Sequence, residues 1–170
     1  MHPLICRLFC SSFTRKEFAM TQDRIEKSIE LKAPIERVWR ALTDYKEFGT
    51  WFRVELDGPF VAGKLATGHM SMSCSGYENM KWQATVKEMK EPTLFSMTWH
   101  PYAIEPDADY SQETPTLIEF RLKSISGGTH LTIVESGFSK LPPHRQALAF
   151  ERNGEGWGIQ IKNIQTHVES

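Results

Sequence analysis

The sequence predicts an α+β domain in which a long C-terminal helix lies across one face of a curved antiparallel sheet. Three observations predict it. An early stretch alternates apolar and polar residues and then switches to a helical stripe. Six further strand-like segments follow, separated by Gly, Pro, Asn and Ser. The chain then closes on a 3-to-4-residue apolar stripe over about residues 142–168. Parallel neighbours would need crossover connections of a dozen or more residues, and the local turns at Asp57-Gly58-Pro59, Glu78-Asn79, Glu91-Pro92 and Gly127-Gly128 are too short for them, so the sheet reads as antiparallel. Strands in a run, with helices set apart from them, give the α+β class.

Size and composition bound the rest. A chain of 170 residues suffices for one domain with a sizeable core. Hydrophobic residues at 40%, five tryptophans and a net charge of −1 are the opposite of a disordered composition, and they leave no cationic footprint for a nucleic-acid backbone. Arg7, Arg15 and Lys16 against Glu17 give residues 1–20 a charge of +2, which leaves −3 for the remainder. Residues 1–20 read as a disordered arm or an overlong start, since Arg7 interrupts their apolar run and no secretory cleavage pattern follows; residues 21–170 read as a single domain. No stretch approaches eighteen consecutive apolar residues, so no membrane insertion is expected. Cys6, Cys10 and Cys74 are too few for a disulfide scaffold, and a cytoplasmic location is the expectation.

The elements follow in order. Residues 24–32 place Ile25, Ile29 and Leu31 on one side of a strand. Pro34 opens a short helix whose stripe is Ile35, Val38, Trp39 and Leu42. Asp44 with Glu47 caps a second short helix ending near Gly49, and Trp51 and Phe52 then return the chain to the core. Strands are predicted over residues 54–58, 64–73, 81–89, 93–100, 116–125 and 129–138, with turns at Asp57-Gly58-Pro59, Glu78-Asn79, Glu91-Pro92 and Gly127-Gly128. Trp82, Ala84 and Val86 share one face, as do Thr116, Ile118, Phe120 and Leu122. The terminal helix presents Trp157, Ile161, Ile164 and Val168, and Gly154, Gly156 and Gly158 are placed to bend its middle.

The stretch IEKSIELKAPIERVWRALTDYKEFGTWF, with Ala33, Pro34, Val38, Trp39, Leu42, Thr43 and Trp51, resembles the opening of the START-like helix-grip superfamily, also called SRPBCC. Gly128, Thr129, Leu131, Ser136, Gly137 and Phe138, followed by Gly156 and Trp157, resemble more narrowly the bacterial relatives of the C-terminal domain of the activator of the heat-shock-protein-90 ATPase. The resemblance spans about residues 22–168. It implies a helix-grip START-like fold, a curved antiparallel sheet wrapped around a long C-terminal helix with two short helices after the first strand. Members include lipid or hormone binders and aromatic polyketide cyclases, so an apolar cavity between sheet and helix is the implied site.

On that reading the chain binds a small hydrophobic or aromatic ligand. The expected lining is Trp39, Trp51, Phe52, Met70, Met72, Trp82, Trp99, His100, Phe120, Phe138, Trp157 and Ile161. The alternatives are an acid-base enzyme of cyclase or hydrolase type using His69, His100, Glu135 or Tyr77, and a protein-interaction module related to chaperone ATPase activation. Exposed charges such as Arg53, Lys64 and Lys87 would be generic anchors for the latter. Glu135 shares a face with Leu131 and Ile133 if the last strand keeps register, but a glutamate at a strand end is expected to be exposed. The six histidines His2, His69, His100, His130, His144 and His167 form neither HExxH nor a cluster, Cys74 has no recognised base, and GEGWG lacks the strand-turn-helix context of a phosphate loop. No metal and no cofactor are expected. Glu105, Asp107, Asp109 and Glu113, with Tyr102 and Tyr110, sit in a loop expected to be solvated, or to form one lip of a pocket whose aromatic entrance is Trp51, Phe52 and Phe138. An exposed edge strand makes either a monomer or a homodimer compatible with the pattern.

Overall fold

The computed structural model describes residues 23–71, 80–105 and 107–170. Strand β1 (Arg24–Leu31) leads into α1 (Ile35–Thr43) and α2 (Tyr45–Phe52). The strands β2 (Val54–Leu56), β3 (Leu65–Met70), β4 (Lys81–Lys90), β5 (Leu94–Trp99), β6 (Thr116–Ile125) and β7 (Gly128–Ser136) follow. One 3-10 turn, Phe138–Lys140, then precedes α3 (Pro143–Glu169). The seven strands form one antiparallel sheet in the order β1-β7-β6-β5-β4-β3-β2, so the first strand closes against the last while the rest run as a meander. This is the predicted α+β helix-grip arrangement. Residues 1–20, Met72, Cys74, Tyr77 and the Glu78-Asn79 turn lie outside the described residues.

Alternation decides which side of each strand is buried. Trp82, Ala84 and Val86 of β4 point inward, as do Phe95 and Met97 of β5, Ile118, Phe120 and Leu122 of β6, and Leu131 and Ile133 of β7. The register aligns these into rows. One row runs Val86, Met97, Ile118, Glu135, Ile25 across five strands, and every member is buried. Helix α3 covers the rows with Ala149, Trp157, Ile161, Ile164 and Val168. Pro143 suits its first turn, where no intrahelical N–H bond is lost. The three mid-helix glycines do not interrupt it.

Two local features differ from the sequence reading. The second helix does not stop at Gly49 but continues to Phe52 and ends at Arg53, whose backbone is left-handed at φ 68°. Gly49 is needed inside the helix instead, because a Cβ there would lie 2.5 Å from the Val54 carbonyl oxygen. Asp44 does cap this helix, accepting from the Lys46 and Glu47 backbone N–H groups at 2.9 and 3.0 Å. The second difference is the buried Glu135. Strand β7 is paired on both sides as far as Ser136, so its last inward position falls beneath α3 rather than at a free end.

Candidate functional site

Beneath α3, one carboxylate organises the polar chemistry of the interior. Glu135 is 0% exposed, and among the described residues it is the only buried side chain of a charged type. Its Oε1 accepts from Trp99 Nε1 at 2.7 Å, from the Thr116 hydroxyl at 2.6 Å and from the Asn153 amide at 3.0 Å. Its Oε2 accepts from Trp157 Nε1 at 2.6 Å and from the same amide at 2.9 Å. The donors come from β5, β6 and α3, so a single side chain of β7 ties three other elements together. Burial, the largest influence, pushes the carboxyl above its ordinary value of 4.5, and the bonds from Thr116, Trp99, Trp157 and Asn153 act in the opposite direction.

Both indoles that bind this carboxylate belong to a continuous aromatic cluster. Trp99 and Trp157 stack at 5.7 Å between centroids with planes 29° apart. Phe52 packs edge-on against each at 6.2 Å, and Trp82 meets Trp99 at 6.5 Å and Phe52 at 6.1 Å. Phe48 and Trp51 extend the cluster below, with the Trp51 indole donating to the Ala41 carbonyl at 2.8 Å. Trp82 is 5% exposed, yet its Nε1 has no hydrogen-bond partner among the described residues. A buried donor left unpaired costs about 1–3 kcal/mol.

The expected lining residues separate into groups. Trp51, Phe52, Trp82, Trp99, Phe120 and Trp157 come together in this cluster; Phe120 meets Trp157 edge-on at 5.8 Å. Trp39 of α1 and Ile161 of α3 are buried in the core outside this cluster, and Phe138 packs on Phe150 at 5.2 Å. Trp51, Phe52 and Phe138 are inside the core rather than at an entrance. Met70, Trp99 and His100 are partly exposed, and the buried Nδ1 of His100 has no partner among the described residues. Met72 lies outside the described residues. His69 points to solvent.

The loop between β5 and β6 is held rather than merely solvated. Arg145, in the first turn of α3, pairs with Glu113 at 3.0 Å, donates to the backbone carbonyls of Pro101 at 2.8 Å and Tyr102 at 3.1 Å, and lies 4.6 Å from the Tyr110 ring centroid. A cleft of about 380 Å³ opens between this loop and α3, lined by Tyr102, Tyr110, His144, Arg145 and Leu148 among others. A second cleft of about 380 Å³ lies at the far end of the sheet between Lys32–Glu36 and the β6-β7 turn. Neither cleft reaches the aromatic cluster. Among the described residues no three His, Cys, Asp or Glu side chains converge on a metal position, and no helix is long and apolar enough to cross a membrane.

The match that decides kinship covers most of this architecture. The profile of the family described as Activator of Hsp90 ATPase homolog 1-like protein matches residues 32–169. The chain belongs to this family. Solved structures agree with the activator-like fold. Protein MLL2253 from Mesorhizobium loti is 21% identical with a TM-score of 0.65, over 85% of this chain and 96% of that one. The Aha1 dimer from Colwellia psychrerythraea is 16% identical with a TM-score of 0.62, over 87% and 97%. DynU16, from the dynemicin biosynthetic locus, is 17% identical with a TM-score of 0.66 over 88% of this chain, which spans about half of DynU16, 48% of its length. At these identities the likeness is one of fold. No curated protein matches the chain in sequence.

The central residue of the site, Glu135, was visible in the sequence only as one of two readings, and Asn153 gave no signal. Asn153 sits four residues before Trp157, one helical turn away, so both reach the same carboxylate. That spacing is a usable signal once a buried acceptor is assumed.

Proposed function

We propose that this activator-like domain binds a small apolar or aromatic molecule bearing a hydrogen-bond acceptor, at the aromatic cluster between sheet and α3. The observation that carries the reading is Trp82 Nε1, a buried donor with no partner among the described residues, on an indole that packs against the rings of Phe48, Phe52 and Trp99. A ligand carbonyl or hydroxyl would satisfy it, and the surrounding rings would supply apolar contact. The side chains touch ring to ring, so a ligand enters by displacing them, and the partly exposed Trp99 is the ring of the cluster whose displacement costs least. The fold alone does not choose this function, since proteins named for Hsp90 activation and for a biosynthetic locus share it. The acid-base alternative draws less support: Glu135 is wholly enclosed, and all five of its hydrogen bonds go to the protein itself.

Two probes that differ only in the acceptor provide the test, 1-acetonaphthone and 1-ethylnaphthalene, titrated calorimetrically into the full chain. The ketone is expected to bind about fivefold more tightly, the worth of one ordinary hydrogen bond. Trp82→Phe should abolish that preference while keeping an aromatic ring. Equal affinities in the wild type, or a preference that survives in Trp82→Phe, would remove the donor from the proposal.

A further inference from the structure

The hydrogen-bond directions around Glu135 constrain where a proton can go. An indole N–H and an amide NH₂ only donate, so Trp99, Trp157 and Asn153 offer a protonated carboxyl nothing to donate to. Oε2 meets only such groups. Oε1 has one partner able to accept, the Thr116 hydroxyl at 2.6 Å. That hydroxyl in turn lies 3.5 Å from the Trp99 carbonyl oxygen, the acceptor toward which its own hydrogen would turn. Two proton arrangements therefore fit one set of heavy-atom positions. With Glu135 ionised, Thr116 donates to it and all five bonds are charge-assisted; with Glu135 neutral, it donates to Thr116, Thr116 donates to Trp99, and the indoles and amide face a weaker acceptor.

No charged side chain bonds to this carboxylate among the described residues. Its surroundings are Ile25 of β1, Ile118 and Thr116 of β6, Trp99 of β5, and Asn153 and Trp157 of α3. The charged neighbours in sequence are turned to the surface and paired there: Arg24 with Glu26 on β1, Glu119 with Arg121 on β6, and Arg152 with Glu155 on α3. On β7 itself the preceding ionisable residue is His130, at the far end of the strand. His100 follows Trp99 in the chain and makes no hydrogen bond to Glu135 among the described residues.

We propose that Glu135 is the positioning residue of the aromatic site, and that the single proton it takes up from solvent and returns to it, with the Thr116 hydroxyl reversing its hydrogen-bond direction, switches the Trp99 and Trp157 indoles between a clamped and a loosened state, setting how readily the interior admits a ligand. The part concerning admission rests on the ligand-binding reading above; the indole switch does not. The clamp acts through the two indoles, whose faces are ligand-contacting surfaces in that reading and whose N–H edges are held by the carboxylate. Stacking makes them respond together, since Trp99 and Trp157 share both a carboxylate and a ring contact.

The test follows the indole ¹⁵N–¹H signals of the full chain by NMR across pH, with Trp99→Phe and Trp157→Phe used to assign them. The two signals are expected to move through one shared single-proton transition above pH 4.5, the ordinary glutamate value, and in step with the Glu135 carboxyl ¹³C signal. Glu135→Gln should leave both indoles flat, Thr116→Val should displace the midpoint, and Thr116→Ser should restore it. Indoles that do not titrate together, or a transition that persists in Glu135→Gln, would overturn the switch. Should Glu135→Gln fail to fold, the joint titration of the carboxyl and both indoles in the wild type decides alone. In a second arm, the affinity for 1-acetonaphthone is expected to rise about fivefold as the proton is taken up, at the same midpoint, which is the weakening of about one hydrogen bond. Affinity independent of pH overturns the coupling to admission. Absence of binding at every pH instead sinks the ligand-binding reading, while the indole titration still decides the role of Glu135.

Discussion

Replacing Trp157 by Phe removes one bond from the Glu135 carboxylate and keeps a ring in the cluster. Oε2 then retains only the Asn153 amide at 2.9 Å in place of two donors. A hydrogen bond to an ionised group contributes about 1.5–3 kcal/mol and one between neutral groups about 0.5–1.5 kcal/mol. The loss should therefore be larger by about 1 kcal/mol above the Glu135 transition, where the carboxyl is ionised, than below it, where it is neutral. The smaller phenyl ring also fills less of the space the indole occupied, at a cost that does not change with pH. For a chain of this size the pH-dependent part corresponds to about 2–4 °C in Tm. Urea unfolding followed by far-UV circular dichroism, wild type against variant at the two pH limits, measures it, and acid effects common to both proteins cancel. A destabilisation of equal size at both limits would show that the bond does not depend on the charge of Glu135, and the reasoning would fail.

Other outcomes follow from the same geometry. A Cβ at Gly128 would fall 1.9 Å from the Leu31 carbonyl oxygen and 3.0 Å from its carbon, both backbone atoms, so Gly128→Ala should cost about 1–3 kcal/mol or more in urea unfolding as the end of β1 is pushed off β7. Glu47 is held below its ordinary 4.5: burial would raise it, but bonds from His167 at 2.9 Å, Arg37 at 2.6 Å and Arg40 at 2.7 Å outweigh that. Its contribution is thus present above pH 4.5 and lost as pH falls through the lowered value. Glu135, being raised, contributes with the opposite sign, and its part is present below 4.5 and lost as pH rises through its folded value. Stability measured against pH should fall on both sides, with Glu47→Gln flattening the acid limb and Glu135→Gln the alkaline one.

Legibility in the sequence tracked how local the cause was. The inward row of Trp82, Ala84 and Val86 and the helical stripe of Trp157, Ile161, Ile164 and Val168 follow from periodicity within single elements, and both are buried as expected. The Asp44 cap is equally local. Glu135 was harder, because its side was given by alternation but its cover comes from Asn153 and Trp157, 18 and 22 residues further along. The hold of Arg145 on the β5-β6 loop joins residues 43 and 44 positions apart and leaves no periodic trace. The tryptophans read from composition as the walls of a pocket are mostly packed against one another, with two indole N–H groups directed at a carboxylate that no composition count could place.

Helix α3 carries Gly154, Gly156 and Gly158 around the indole that grips Glu135, and at Gly156 and Gly158 nothing lies within 4 Å of where a Cβ would stand. Alanine at these two positions would meet no obstacle and would add about 2 kcal/mol of helical preference. The chain therefore places a run of glycines in α3 opposite the side chain that accepts five hydrogen bonds, Glu135. Local melting of α3 is opposed there by bonds to the sheet rather than by the helix itself, and whatever breaks those bonds unlocks the helix at the same point.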